Sequence, residues 1–488
     1  MVSWQLIKLI MESITFKDKY NNGYLYSFYH KKLLPLDHLL YDLVDSYLTA
    51  DETIKNEHNI RINSLLKSNI PLKKRFVFLR KNHFLDDKKV LTSGSLSPED
   101  IKQNIESLPV LIFEVTEKCN FKCKYCIYGD MYISHPSKMD KELSFEKAKA
   151  IIDYFVKFAN DKPSVRNRQQ SISFYGGEPL LRFELLKQII EYTQGIHTLS
   201  YSYSITTNGL LLNKYYEQLA EWNVKMLISL DGNKSSSQYR MTNGGKETFS
   251  IVYENILRIK KEYPQYFKEK VDFNAVMHDK NPLHVLLPFM KSHFNKIPQC
   301  SSLVSVFLKE EAKNDFDKMS NNDYLTACDA CEDFSLESIY KINPHLASVI
   351  SFTNNYSGYT FQNLKTLLYA GVEERYVPSG TCMPFGIRLL VSADGYLYPC
   401  ERINYTYSIG WINEDNEVEI NVDKLVDDYN SMYDKIRNKC AICYNVYNCT
   451  TCLFQRNMDC MPIDKIEFTK NMEKTINGIH SYGKKFRK

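Results

Sequence analysis

Cysteine is the residue type whose spacing in this chain can do chemistry. Cys119, Cys123 and Cys126 follow one another as C-x3-C-x2-C. Three thiolates on so short a stretch can converge on one metal centre, one ligand short of a closed four-coordinate site. An open position of that kind is what a catalytic centre needs. A second group comes late: Cys382, Cys400, then Cys440-x2-Cys443-x5-Cys449-x2-Cys452, then Cys460. Paired C-x2-C units also suit zinc, so a zinc ribbon competes for the late group and a structural zinc loop for the early one. Cys328 and Cys331 form a further C-x2-C pair, and Cys300 reads as a buried core thiol.

The first triplet needs a rigid element to hold it. Val110–Val115 reads as a buried strand ending just before Cys119. Strand-like runs follow at 171–175, 201–206, 224–230, 271–277 and 303–308. Helical patterns lie between them at 145–158, 183–193, 213–222, 249–263 and 283–293. Strands alternating with helices predict a parallel sheet, curled or doubly wound, with ligands at the C-terminal strand ends. Upstream, Tyr24–Tyr29 and Leu33–Leu36 read as strands, Asp37 as a helix cap, Arg75–Arg80 as another strand, and Ser93–Asp100 as a linker. Residues 310–375 are polar and read as helical. From Cys382 the chain reads as a small metal-held domain with few long helices, and beyond Lys465 as a basic helical tail.

Composition narrows the class. Of 488 residues, 44% are hydrophobic, and 62 Lys and Arg against 58 Asp and Glu leave a net charge of +4. That excludes wholesale disorder, a collagen-like repeat and a membrane-spanning bundle, and it gives little pull toward nucleic acid. Thirteen cysteines are an odd number to pair, and clustered spacing in a non-secreted chain reads as metal binding. The apolar stretch Trp4–Ile10 is broken by Lys8 and is followed by no small-residue cleavage site, so the expected location is the cytoplasm, away from any membrane.

With these surroundings the cysteine triplet resembles the radical S-adenosylmethionine (SAM) superfamily. The resemblance implies that Cys119, Cys123 and Cys126 bind a [4Fe–4S] cluster whose open iron chelates SAM, and that reduction yields a 5′-deoxyadenosyl radical that abstracts hydrogen from substrate. Tyr125 before the last cysteine matches the family pattern. So do Gly176-Gly177-Glu178-Pro179 after the second strand, Thr206 and Asn208 after the third, and Ser229 and Asp231 after the fourth. The family uses these positions around the cofactor, and Arg240 is placed to pair with the SAM carboxylate. The late cysteines resemble a SPASM domain holding two auxiliary [4Fe–4S] clusters. By that resemblance Cys440, Cys443, Cys449 and Cys460 ligate the outer cluster, and Cys382, Cys400 and Cys452 the inner one. The inner iron is then open to substrate or closed by Cys328 or Cys331. Glu401, directly after Cys400, stands where sulfatase-maturing relatives carry a general-base Asp.

The N-terminal strands and helices loosely resemble the winged-helix-like recognition element of peptide-maturing radical SAM enzymes, which adds a leader peptide to a sheet edge. A plain scaffold and a nucleic-acid-binding winged helix are the other readings. The expectation is thus α/β: a partial (βα)6 TIM-like barrel at 106–310, preceded by a recognition module at 1–105, followed by a helical bridge at 311–375 and a SPASM domain at 376–488. Its expected partners are a ribosomally synthesised precursor peptide and an electron donor such as flavodoxin or ferredoxin. The expected reaction is an intramolecular thioether or carbon–carbon crosslink, with formylglycine formation, epimerisation and a zinc-stabilised binding protein as alternatives.

Overall fold

The computed structural model describes residues 10–30, 32–49, 69–89, 95–133, 140–161, 169–304, 308–320, 383–401, 403, 405–446, 453–454 and 461–485. Cys328, Cys331, Cys382, Cys449, Cys452 and Cys460, the stretch Trp4–Leu9 and most of the 311–375 bridge lie outside the described residues.

Strands β1 (Ile10–Met11), β2 (Ile14–Lys17), β3 (Gly23–Ser27), β4 (Lys32–Leu36) and β5 (Lys88–Lys89) build the N-terminal module. β2, β3 and β4 form an antiparallel sheet in that order. Asp37 caps the helix His38–Thr49 by accepting from the Leu40 N–H at 3.0 Å, as its side chain predicts. The run Arg75–Arg80 is not a strand. It lies in the helix Ile70–Lys81, capped by Asn69 and carrying Pro71 in its first turn. Leu72, Phe76 and Leu79, at i, i+4 and i+7, bury one stripe of that helix in a core with Leu25, Leu36, Leu40 and Val44. That helical period outweighs the alternating look of Arg75–Arg80. The 93–100 linker is likewise cut short, because Ser97 and Asp100 form a capping box that opens the helix Pro98–Ser107.

Strands β6 (Val110–Thr116), β7 (Gln169–Gly176), β8 (Ser200–Thr207), β9 (Lys225–Ser229), β10 (Val271–Met277) and β11 (Gln299–Ser302) are parallel and sit side by side in chain order. Helices Phe145–Asp161, Phe183–Gln194, Leu212–Glu221, Phe249–Glu262 and Leu283–Phe294 connect them. Consecutive order without a reversal is the winding of a βα barrel rather than of a doubly wound sheet. The last strand falls earlier than 303–308. Asn295 ends the preceding helix in the left-handed conformation, and Gln299–Ser302 pairs at once with Asn274–Met277. Leu308 instead makes an isolated bridge to Tyr132.

The sheet does not stop at the barrel. β12 (Leu389–Val391) pairs parallel with β6 on its free side, and β13 (Tyr396–Tyr398), β14 (Gly410–Ile412) and β15 (Val418–Glu419) extend it antiparallel to ten strands. Leu390, Leu397, Tyr429 and Tyr433 share one apolar core with the barrel strands. The chain beyond Lys465 is helical as expected, over the 21 residues Lys465–Lys485, whereas the 20-residue helix Val422–Ala441 is a long element that the cysteine-rich reading of this region does not anticipate. Each buries one face. Phe468, Met472 and Ile476 of the later helix pack on Ile14, Phe16, Tyr24, Tyr26 and Phe28 of the N-terminal sheet. No described helix is long and apolar enough to cross a membrane.

Candidate active site

The cysteine loop leaves the C-terminal end of β6 and is pinned from two sides. On one side the Gly176-Gly177 turn ending β7 lies against its root. The Gly177 N–H donates to the Thr116 carbonyl at 2.8 Å and the Glu178 N–H to the Lys118 carbonyl at 2.9 Å. A Cβ on Gly177 would lie 2.2 Å from the Lys118 oxygen, and Gly176 has a φ of +129° with its Cβ position 2.3 Å from the Thr116 oxygen. Both glycines are therefore needed for backbone to meet backbone. We expect Gly177→Ala to cost about 1–3 kcal/mol of stability and to lower iron retained on anaerobic purification. Wild-type iron content and thermal midpoint would show that the turn tolerates a side chain.

On the other side the loop pairs with residues 239–243. Lys122 and Lys124 donate their N–H groups to the carbonyls of Met241 (2.8 Å) and Tyr239 (3.0 Å), and the Asn243 amide donates to the Cys119 carbonyl at 2.8 Å. Cys119, Cys123 and Cys126 are all half-buried. The Phe121 N–H points at Cys119 Sγ (3.4 Å), as does Asn208 Nδ2 (3.8 Å), and Arg240 Nη1 faces Cys123 Sγ at 4.0 Å. Burial pushes the Cys123 thiol up to about 12, with Arg240 opposing. A thiolate there calls for a cationic partner, which a metal centre supplies. Among the described residues no three His, Cys, Asp or Glu side chains meet at metal-binding distance. The fit rests on three thiols of one loop with donors aimed at two of their sulfurs, a donor set suited to an iron–sulfur cluster.

Beneath the loop lies a buried charge network. Asp231 accepts from Arg240 Nε (3.0 Å) and Nη2 (3.3 Å), from the Val276 N–H (2.9 Å) and from the Tyr125 hydroxyl. His278 Nε2 lies 3.5 Å from the same carboxylate. Burial alone would raise the Asp231 carboxyl, but Arg240, His278 and Tyr125 hold it down at about 2. Arg240 thus forks onto Asp231 through Nε and Nη2, with Nη1 on the side of Cys123. Glu178 is also fully engaged: it accepts from Thr207 Oγ1 (2.7 Å) and from the N–H groups of Asn208 (2.8 Å) and Leu180 (3.1 Å). Glu178 and Asp231 tie strand ends together and support the site. Asn208 passes that support onward, its amide donating to Asn120 Oδ1 at 2.6 Å. Thr206 and Ser229 are half-buried at their strand ends, and Pro179 is buried.

Glu114 is a site residue that the sequence pattern does not single out. It is fully buried on β6, where the register slips between Glu114 and Thr116. It accepts from the Ala393 N–H (3.1 Å) and the Tyr405 hydroxyl (2.9 Å) of the C-terminal extension. Burial pushes its carboxyl from 4.5 up to about 7, against the pull of those two donors; Glu178 shifts likewise, to about 7. Between 4.5 and 7 the folded chain holds protons that the unfolded chain has released. Stability therefore falls as pH rises through that window. Glu114→Gln is expected to remove about half of that fall, up to roughly 3 kcal/mol, in urea unfolding compared at about pH 5 and about pH 8. An unchanged slope would mean that Glu114 is ionised throughout.

Glu401 is not a free surface carboxylate: Arg388 Nη1 donates to both of its oxygens, at 3.1 and 3.2 Å. Cys400 beside it is half-buried, and Cys300 is buried on β11 as expected of a core thiol. Cys440 and Cys443 do not join the first loop. They stand at the end of the helix Val422–Ala441 and pack on the N-terminal sheet, with the Ile463 N–H donating to Cys443 Sγ at 3.4 Å. Asn120, Asn243, His278 and Glu114 are the site residues that motif reading misses. A polar residue at a barrel strand's C-terminal end is the signal for His278, and a lone carboxylate within an apolar strand is the signal for Glu114.

Comparison with known proteins agrees with this geometry. The radical SAM superfamily model matches residues 113–284. The radical SAM cyclopropyl synthase TigE of Paramaledivibacter caminithermalis is 27% identical over 54% of this chain and 55% of its own length. The cysteine-type anaerobic sulfatase-maturating enzyme of Clostridium novyi is 26% identical over 64% of this chain and 78% of its own length. The match to TigE thus spans about half of that relative. A solved structure described as native anSMEcpe with bound AdoMet and Cp18Cys peptide aligns with 78% of this chain and 100% of that one, at a TM-score of 0.51 and 19% identity, a likeness of fold.

Proposed function

We propose, for a chain that belongs to the radical SAM superfamily and is one of its enzymes, that it modifies a ribosomally synthesised precursor peptide by forming an intramolecular thioether or carbon–carbon crosslink. The observation that carries this reading is the loop of Cys119, Cys123 and Cys126, pinned between the Gly176-Gly177 turn and the Asp231–Arg240 network at the C-terminal ends of parallel strands. A peptide partner is supported by the solved relative with a bound peptide and by the sulfatase-maturating relative. A three-stranded N-terminal sheet, whose β4 pairs only with β3 among the described residues, supports recognition by strand addition.

Cys119, Cys123 and Cys126 would hold a [4Fe–4S] cluster, with SAM at its open iron. When bound, that pair supplies the carbon-centred radical that takes a hydrogen atom from substrate. The chain's own residues orient and shield. Asn208 and Arg240 direct N–H groups at the ligating sulfurs, Tyr125 anchors the loop to Asp231, and Thr206 and Ser229 line the strand ends where SAM would lie. Cys440, Cys443, Cys449 and Cys460, and Cys382, Cys400 and Cys452, would hold two auxiliary clusters. Glu401, oriented by Arg388, would take the proton released as the crosslink closes. Flavodoxin or ferredoxin would supply electrons in the cytoplasm.

The likeness to the sulfatase-maturating enzyme favours a second reading, oxidation of a Cys or Ser to formylglycine. The test is anaerobic purification with iron and zinc quantification, a dithionite assay for 5′-deoxyadenosine, and mass spectrometry of a small peptide encoded beside the enzyme and co-expressed with it. A crosslink removes two hydrogens and joins two residues in the fragment spectrum. Formylglycine from Cys exchanges sulfur for oxygen with loss of two hydrogens, and from Ser it removes two hydrogens at one residue. Zinc without iron or deoxyadenosine would sink both readings.

A further inference from the structure

His278 directly follows β10 and is fully buried. The Lys280 N–H donates to its Nδ1 at 3.2 Å, so the ring carries its proton on Nε2. Asp279 Oδ1 lies farther from Nδ1, at 3.8 Å, and the other oxygen of Asp279 accepts from the Tyr239 hydroxyl at 3.2 Å. Nε2 faces Asp231 Oδ2 at 3.5 Å and has no hydrogen-bond partner elsewhere among the described residues. That oxygen is shared: Arg240 Nε and the Tyr125 hydroxyl donate to it too. The same imidazole belongs to an aromatic clamp. It lies 5.6 Å from the Tyr125 ring at 30° and 4.9 Å from the Tyr239 ring at 62°. The Arg240 guanidinium covers Tyr125 at 5.5 Å, and Tyr239 meets Tyr125 edge-on at 6.5 Å. Tyr125 stands between Cys123 and Cys126 in the chain. His278 therefore reaches the loop by two routes. One is its ring against Tyr125; the other is Asp231, whose partner Arg240 turns Nη1 toward Cys123 Sγ.

We propose that His278 is a positioning residue that tunes the metal centre of the loop: its Nε2–H takes up part of the Asp231 charge and so leaves the charge of Arg240 to act on the Cys123 sulfur. The inference rests on the reading that Cys119, Cys123 and Cys126 hold an iron–sulfur cluster. It adds the residue that sets how readily that cluster accepts an electron. Positive charge and N–H donors directed at ligand sulfurs favour the reduced, more negative form of a cluster. Without the Nε2–H, Asp231 draws more fully on Arg240. The surroundings of Cys123 then turn more negative, and the reduced form is disfavoured.

His278→Phe and His278→Gln separate the two routes in the full-length, anaerobically purified enzyme. Phe keeps a ring against Tyr125 and Tyr239 and loses both nitrogens. Gln loses the ring and keeps an amide N–H at the reach of Nε2. The readouts are iron content, thermal midpoint and a redox titration. The titration follows the electron paramagnetic resonance signal that changes on adding SAM, which singles out the cluster of this loop. At a fixed potential the ratio of reduced to oxidised cluster should fall about threefold or more in His278→Phe, a shift of about 30 mV for one electron. His278→Gln should stay close to wild type. An unchanged or higher potential in His278→Phe with its iron retained overturns the proposal. So does an equal shift in the two variants, which would make the ring the deciding part. If His278→Phe loses its iron, His278→Gln carries the test: wild-type iron and potential uphold the donor role, and a shifted potential or lost iron overturns it. In each of these outcomes the reading of the loop as a cluster site stands. Wild-type enzyme with no iron and no SAM-sensitive signal would sink both.

Discussion

Cys123→Ala is expected to reduce 5′-deoxyadenosine formation to background. The drop should exceed the roughly 10–100-fold that losing an outer-shell partner of a metal centre costs, because on the proposed assignment Cys123 is itself a ligand. Cys123 sits between the turn that bonds to Met241 and Tyr239 and the guanidinium of Arg240, and no described side chain is placed to replace its sulfur. Cys119→Ala and Cys126→Ala should behave alike. On the proposed assignment of auxiliary clusters to the late cysteines, their iron should survive, since Cys440 and Cys443 belong to a different core, with Phe28, Tyr444 and Phe468. The measurement is iron content beside dithionite-driven SAM cleavage on one anaerobic preparation. Retained cleavage would overturn the assignment of the loop.

The second large effect belongs to Asp231. Replacing it with Ala leaves Arg240 buried at 7% exposure without its counter-charge, and leaves Tyr125 and the Val276 N–H without an acceptor. Breaking one side of a buried pair costs about 3–5 kcal/mol, far more than the pair adds over apolar side chains of similar volume. Asp231→Ala should therefore unfold at markedly lower urea and purify with less iron. Asp231→Leu combined with Arg240→Met should recover a substantial part of the stability, but not the SAM cleavage if Arg240 acts on the sulfur of Cys123. Equal stability of the single and double variants would show that the charge pair does not organise the loop.

The pH dependence runs opposite for the two kinds of buried carboxyl. Glu114 and Glu178, raised to about 7, weaken the fold as pH climbs through neutrality. Asp231, held at about 2, contributes in full above the ordinary 3.8 and loses that contribution progressively as pH falls from 3.8 toward 2. The difference lies in the partners: Asp231 has a guanidinium, whereas the two glutamates have only neutral donors.

The cysteine loop, its place after the first barrel strand and the glycine turn that meets it were legible in the sequence, because each depends on neighbours a few residues away. C-x3-C-x2-C sets three thiols on one loop whatever the rest of the chain does, and strand–helix alternation already implies parallel pairing with the loops at one end. The run Arg75–Arg80 reads as a strand by itself; the deciding contacts set Leu72, outside the run, together with Phe76 and Leu79, inside it, in one core with Leu40 and Val44 of the helix His38–Thr49. Glu114 looked like any residue of a strand until Ala393, 279 positions away, was brought to its side chain. The partner of Arg240 was decided in the same way. Spacing placed the arginine near the loop, but which carboxylate it meets depends on how β9, β10 and the loop pack together. Sequence by itself determined which groups are present and which lie on one loop or one helix stripe, since those follow from local geometry. Tertiary structure alone decided which buried charges meet, how the sheet continues past the barrel, and which helix face is left open. Those outcomes depend on contacts between distant segments, and their energies exist only once water has been excluded from between them.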